Sequence, residues 1–339
     1  MDTKTATESL TQLPANRRLV EELYSHGYIN TDGKSYALNL LYPHDQWGLW
    51  VSRLLLVFGS ALVLSGIIYF FAFNWTKLTP AVKLVSIQVG LVGCLVGAYY
   101  CSLSKLSGQV FLLAATVLVG VFMAVFGQIY QTGADAYQLF MMWSLLTLGW
   151  TIISNFSAQW GLWLIISNFF ISLWWFQAAL PSRDMEDLLY SLLLCFNGLA
   201  LVLRECGVYQ KLNWLTDRWS RVALVIALLF ILLIPIESCI IELKYARLST
   251  YISAVIGAIG LAATFFVYRF KLFDIWALSA VVLTGCIITV TVIFKVLTEI
   301  VGRAEASTFL FMGLATLGVF TGALVYLRAV ANKAECKHD

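Results

Sequence analysis

Apolar residues run through this chain in long blocks separated by short polar stretches. Blocks near or above ~18 residues recur, each long enough to cross a ~30 Å hydrocarbon layer as a helix. In order they predict spans at Val51–Phe73, Ala81–Tyr100, Gly108–Phe126, Leu139–Ile153, Gln159–Ala179, Leu188–Leu203, Val222–Ile236, Thr250–Tyr268, Leu272–Phe294 and Ala306–Leu327. Without water in that layer, backbone groups must be satisfied within the segment, which favours helices. The alternating ~10-residue segments of a transmembrane barrel are missing. The expected fold class is therefore all-α, a polytopic transmembrane helical bundle of about ten spans.

Local signals refine this frame. Pro14–Gly27 reads as a short helix stopped by glycine, Tyr28–Gly33 as a turn, and Lys34–Tyr42 as a second helix ending at Pro43. Trp47 and Trp50 mark a membrane interface. The expected layout is an N-terminal helical hairpin over 1–46, a membrane domain over 47–328 and a polar tail over 329–339. Asn74–Thr79 reads as a tight loop, and Thr79-Pro80 as a helix start. Gly90, Gly93 and Gly97 line one face of their span and invite close approach by another helix. The span at Leu139 is short, and Pro235 with Glu237 blurs the end of the span at Val222. Between Arg204 and Arg221, Val208, Leu212, Leu215 and Trp219 recur at helical spacing, which predicts an amphipathic helix along the interface.

Composition and charge add direction. Apolar residues make up 60% and charged residues 12% of the chain, about half the charged share of a soluble domain. A net charge of +3 is too small for a nucleic-acid surface. Ten spans place both termini on one side, which holds fifteen of the 22 Lys and Arg residues. The positive-inside rule then gives N-in and C-in. The polar stretch ahead of Trp47 offers no apolar core for a signal peptide. The seven cysteines show no paired spacing and read as small buried hydrophobes. His26, His44 and His338 all lie in the polar ends, and no metal or cofactor motif is found. No cofactor, metal or catalytic residue is expected.

The best candidate site is Gly127–Gln138, a polar interruption with no Lys or Arg that faces the extracytoplasmic side on this topology. Gln128, Tyr130, Gln131, Asp135 and Tyr137 offer donors, acceptors and one carboxylate, and Gly127 and Gly133 permit a turn. These groups suit a neutral, hydroxyl-rich or weakly cationic ligand. Alternatively they satisfy one another in a structured hairpin. Glu237 joins them as a ligand-binding candidate, since carboxylates at membrane depth are costly and functional. It and Glu242 could instead lie at the surface. Lys295, Glu299 and Arg303 read as an ion-pair ladder on one helical face.

The central stretch FGQIYQTGADAYQLFMMWSLLTLGW resembles the motif of a bacterial membrane family, domain of unknown function 2157. The resemblance rests on Gln128, Ile129, Tyr130, Gly133, Asp135 and Trp143, with Leu23, Gly27 and Ile29 matching the family's opening hairpin. It covers roughly the first half of the chain. Gln131 stands where the family often has His, which weakens any role needing a titratable base there. The resemblance implies a bacterial inner membrane and supplies no activity. The expectation is a multi-pass protein that binds or moves a small molecule or lipid-linked sugar. Its partners would be the bilayer, a small-molecule or lipid ligand, or a cytoplasmic protein, but not nucleic acid. A structural or sensory protein acting through cytoplasmic partners is the alternative, and an enzyme ranks last.

Overall fold

The computed structural model describes residues 17–41, 75–243, 245–301 and 306–335, together with scattered positions between Val51 and Phe73. Among the described residues there are eleven helices and no strands. The chain divides into two compact units at Leu78/Thr79.

The first unit holds a hairpin of α1 (Arg17–Ser25) and α2 (Thr31–Leu41). Gly27 adopts φ +74° just after α1, the left-handed conformation that ends a helix cheaply only at glycine. The expected turn over Tyr28–Gly33 is shorter than the spacing suggested. Asn30 Oδ1 accepts the Gly33 backbone N–H at 2.8 Å, so this side chain starts α2 and draws Gly33 into the helix. Pro14, Tyr42, Trp47 and Trp50 lie outside the described residues. The described positions of the expected first span, Val51–Phe73, are helical.

Among its described residues the second unit is a run of nine helices, each long and apolar enough to cross a membrane. They are α3 (Pro80–Cys101), α4 (Leu106–Tyr130), α5 (Ala136–Ile153), α6 (Ser157–Trp174), α7 (Leu188–Tyr209), α8 (Arg218–Ile241), α9 (Leu248–Phe266), α10 (Ile275–Val301) and α11 (Ala306–Glu335). Five-residue π-turns extend α6 to Ala179 and α9 to Lys271. Each corresponds to one expected span, and the short links make successive helices antiparallel. The chain is a multi-pass membrane protein. Its outward faces carry large apolar side chains such as Val89, Leu145, Ile165, Leu199 and Phe230, as contact with lipid requires.

Small residues set the closest approaches. Gly97 lies against the Phe111 ring and Gly90 against Leu118, so two of the three expected glycines face α4, while a Cβ on Gly93 would meet nothing. Gly257 lets α9 approach Leu232 and Ile236 of α8. α8 is the hub of the later helices: Val225 and Leu232 are fully buried, and they pack with Leu194, Ala254, Ala277 and Val281 from its neighbours.

Several boundaries depart from expectation. Polar residues at helix ends remain helical, so the interruption at Gly127–Gln138 shrinks to Gln131–Asp135 and α5 reaches 18 residues. Pro235 does not end its helix: it is buried inside α8, which continues through Glu237 to Ile241. The apolar packing around it offsets the one backbone donor proline lacks. No interfacial helix runs from Val208 to Trp219. α7 extends to Tyr209, Lys211 turns at φ +63°, and a short 3-10 turn over Asn213–Leu215 leads into α8. The apolar period there arose from two helix ends and a buried plug: Leu215 folds back onto Gly207, where a Cβ would come within 2.5 Å of it. The six described cysteines are unpaired, but only Cys286 is buried, and Cys195 and Cys206 face outward. Lys295 and Glu299 form the expected i, i+4 pair at 3.8 Å, and Lys295 Nζ also donates to the Ile241 carbonyl. Arg303 lies outside the described residues.

Candidate functional site

The α4–α5 turn is built by two left-handed residues. Gln131 closes α4 at φ +45°, and Gly133 follows at φ +66°. Asp135 then starts α5, and its backbone carbonyl accepts from the Gln138 N–H at 3.0 Å. The Asp135 side chain makes no capping hydrogen bond, although aspartate commonly does so at this position. Its carboxylate has no hydrogen bond or ion pair among the described residues.

Beside this turn lies a cleft of about 530 Å³. Phe122, Met123 and Phe126 of α4 and Leu139 and Met142 of α5 form its apolar walls. Thr132, Asp135 and Gln138 supply its polar end. Neither Lys nor Arg lines it.

The predicted site residues divide. Asp135 lines the cleft. Gln131 sets the turn beside it. Gln128 and Tyr130 are exposed on α4 and do not line it, and Tyr130 lies against Phe126 with ring centroids 4.6 Å apart. Tyr137 is partly buried and works as an anchor. Its backbone N–H donates to Gln177 Oε1 of the α6 π-turn at 3.0 Å, and its hydroxyl accepts from Gln138 Nε2 at 3.3 Å. Glu237 is not brought to the cleft; it belongs to α8, with one carboxylate oxygen buried and unpartnered among the described residues.

Further along the same helices lies a polar network that sequence reasoning missed. Thr116, Thr147, Thr151 and Gln159 are fully buried. Gln159 Nε2 donates to Thr116 Oγ1 at 2.7 Å and to Thr151 Oγ1 at 3.1 Å. Trp150 Nε1 donates to the same Thr116 hydroxyl at 3.0 Å, and that hydroxyl donates to the Leu112 carbonyl. Trp143 Nε1 donates to the Thr116 carbonyl at 2.7 Å. Its ring lies over Gly120, where a Cβ would come within 2.4 Å. Hydrogen bonds across membrane helices contribute about 0.6 kcal/mol each on average, so several converging on Thr116 make a firm joint. α4, α5 and α6 thus hold the cleft on a fixed frame. The available signal was Trp, Thr and Gln recurring inside apolar runs.

A second missed cluster lies at the end of the bundle where α7, α8, α9 and α10 meet. Glu205 Oε1 accepts from Arg204 at 2.8 Å, Arg221 at 2.9 Å and the Tyr268 hydroxyl at 3.1 Å. Arg221 also reaches Asp274 at 3.1 Å. Arg204 donates to the Leu215 and Asp217 carbonyls, which holds the α7–α8 link. Asp274 Oδ1 accepts the backbone N–H of Trp276 and Ala277, so one carboxylate both caps α10 and binds Arg221. This is a structural clamp, with its charges matched to one another.

Residues 21–160 match the family model described as a predicted membrane protein, DUF2157. The match covers less than half of the chain, and over that segment the protein is similar to this family. The matched segment contains the α1–α2 hairpin from Glu21 onward, the cleft, and the network from Thr116 to Gln159. The quoted motif residues now take separate places within it: Gly133 and Asp135 shape the turn and cleft, and Trp143 joins α5 to α4. No curated protein and no solved structure matches the chain.

Proposed function

We propose that this protein, placed N-in and C-in in a bacterial inner membrane, binds a small amphiphile at the α4–α5 cleft. The carrying observation is a carboxylate left uncapped at the polar end of an otherwise apolar cleft. A hydroxyl-rich or weakly cationic head would meet Asp135, Gln138 and Thr132, while its apolar part would rest on Phe122, Phe126 and Met142. A lipid-linked sugar or a small cationic amphiphile has this chemistry. The absence of Lys and Arg from the lining argues against an anionic head. Transport by this site is a further step, which the outward-facing placement of the loop on the positive-inside topology favours.

The test is native mass spectrometry of protein extracted gently from its own membrane. A discrete bound mass is expected, with occupancy in Asp135→Asn reduced about tenfold or more, the usual loss when a hydrogen bond to a charged group is weakened. An adduct retained equally by both proteins would sink the reading. The α1–α2 hairpin supports a second reading, docking of a cytoplasmic partner, because Tyr28, Tyr36 and Leu40 are exposed on it. Recovery of a second polypeptide that is lost on deleting residues 1–42 would favour that alternative.

A further inference from the structure

A groove of about 600 Å³ opens along α8, α9 and α10, away from the cleft residues. Ile236, Leu261, Phe265, Phe270, Val282 and Gly285 line it, and every other lining residue is also apolar. Gly285 borders open space, since a Cβ there would meet nothing within 4 Å. Along α9 the lining runs from Ala258 to Phe270. Twelve residues of helix rise about 18 Å, close to half of a ~30 Å hydrocarbon core. The groove therefore has the length of one leaflet and the chemistry of an acyl chain.

Its end is charged. Phe270 lies between Arg269 and Lys271 on the π-turn that extends α9, a distortion often found at functional sites. Neither residue is ion-paired among the described residues. Arg269 Nε donates to the neutral Tyr326 hydroxyl at 3.2 Å. The nearby carboxylates are committed elsewhere: Glu205 to Arg204 and Arg221, and Asp274 to Arg221 and Arg218. Positive charge is thus left over where the groove meets the membrane surface, at the same end of the bundle as the clamp. Basic side chains in that position attract anionic headgroups.

We infer that this groove is a binding site for an anionic phospholipid, with one acyl chain along α9 and α10 and the phosphate held by Arg269 and Lys271. The site is separate from the α4–α5 cleft and does not depend on its ligand.

The experiment titrates the purified full-length protein in mild detergent with phosphatidylglycerol or phosphatidylcholine of identical chains and counts retained lipid by native mass spectrometry. Phosphatidylglycerol is expected to be retained in preference. Arg269→Ala and Lys271→Ala should each weaken that retention roughly fivefold, and together should bring it to the phosphatidylcholine level. Gly285→Phe, which fills the groove, should lower retention of both lipids while the melting temperature shows the protein folded. If it does not fold, Val282→Trp takes its place. Asp135→Asn should leave phosphatidylglycerol retention unchanged. Equal retention of the two lipids by the wild-type protein overturns the proposal. So does retention that is indifferent to the Arg269 and Lys271 changes. Loss with the charge variants but none with the groove-filling variant overturns the acyl-chain assignment.

Discussion

Trp143→Ala is expected to destabilise the protein by about 3 kcal/mol, the lower part of the usual range for a large aromatic residue cut to alanine in a packed interior. Two losses combine. The indole leaves the space over Gly120, and the Thr116 carbonyl loses its 2.7 Å donor. Lipid has no route to refill that space, because Thr116 and Gly120 are buried against α5. Thermal unfolding in detergent, followed by circular dichroism, measures the effect. Trp276→Ala is the control: that side chain is 61% exposed, and its loss should change stability by no more than about 0.5 kcal/mol. Gly120→Val should reproduce the Trp143→Ala loss, since a side chain there displaces the ring. Equal melting of Trp143→Ala and Trp276→Ala would remove the network from its place as the joint of the cleft.

The other large effect is expected at Glu205. Its carboxylate receives Arg204, Arg221 and Tyr268, and the Arg204 side chain is only 3% exposed. Glu205→Ala leaves that guanidinium buried beside Arg221 with no shared counter-charge. Removing one partner from a buried pair costs about 3–5 kcal/mol. Tyr268→Phe deletes one neutral donor to that carboxylate and should cost less, about 2 kcal/mol. Ionic strength separates the buried pairs from the surface one. The Glu205 effect should persist in high salt, whereas the Arg218–Asp274 contact, 3.6 Å with Arg218 65% exposed, should weaken as salt screens it. A Glu205→Ala protein that melts with the wild type would show that the cluster does not hold the link between α7 and α8.

How legible these features were follows from the range over which each is encoded. A span is a local demand, since a bilayer requires one long apolar run, so nine helices are where hydropathy put them. Their ends are less local. Tyr130 and Tyr137 read as loop by polarity, yet each completes a helix whose backbone bonds were already available. Asp135 was visible because it is the one carboxylate in a stretch without cations. Glu205 was not, because its partners Arg221 and Tyr268 lie on other helices, and neighbours across a bundle leave no period in the chain. The same gap separates Glu237, a candidate because of its membrane depth, from the cleft that Asp135 lines. Thr116 and Gln159 were hidden because single polar residues barely lower the hydropathy of an apolar run.

The anchor at Gln177 has a mechanical consequence. α6 with its π-turn covers 23 residues, about 35 Å of stiff rod, and it is fastened near both ends and in the middle. At the cleft end Gln177 holds the first turn of α5 through Tyr137. Midway, Asn168 and Asn197 exchange amide hydrogen bonds with α7. At the far end Ser157 donates to the Trp214 carbonyl, and the Trp160 and Trp214 rings stack, against the link that Arg204 holds. Displacing the first turn of α5 would therefore break the Gln177 hydrogen bond or shift a rod that is also tied at Asn168 and Ser157. The family match ends at residue 160, part-way into this rod, so Gln177 and Asn168 lie beyond it.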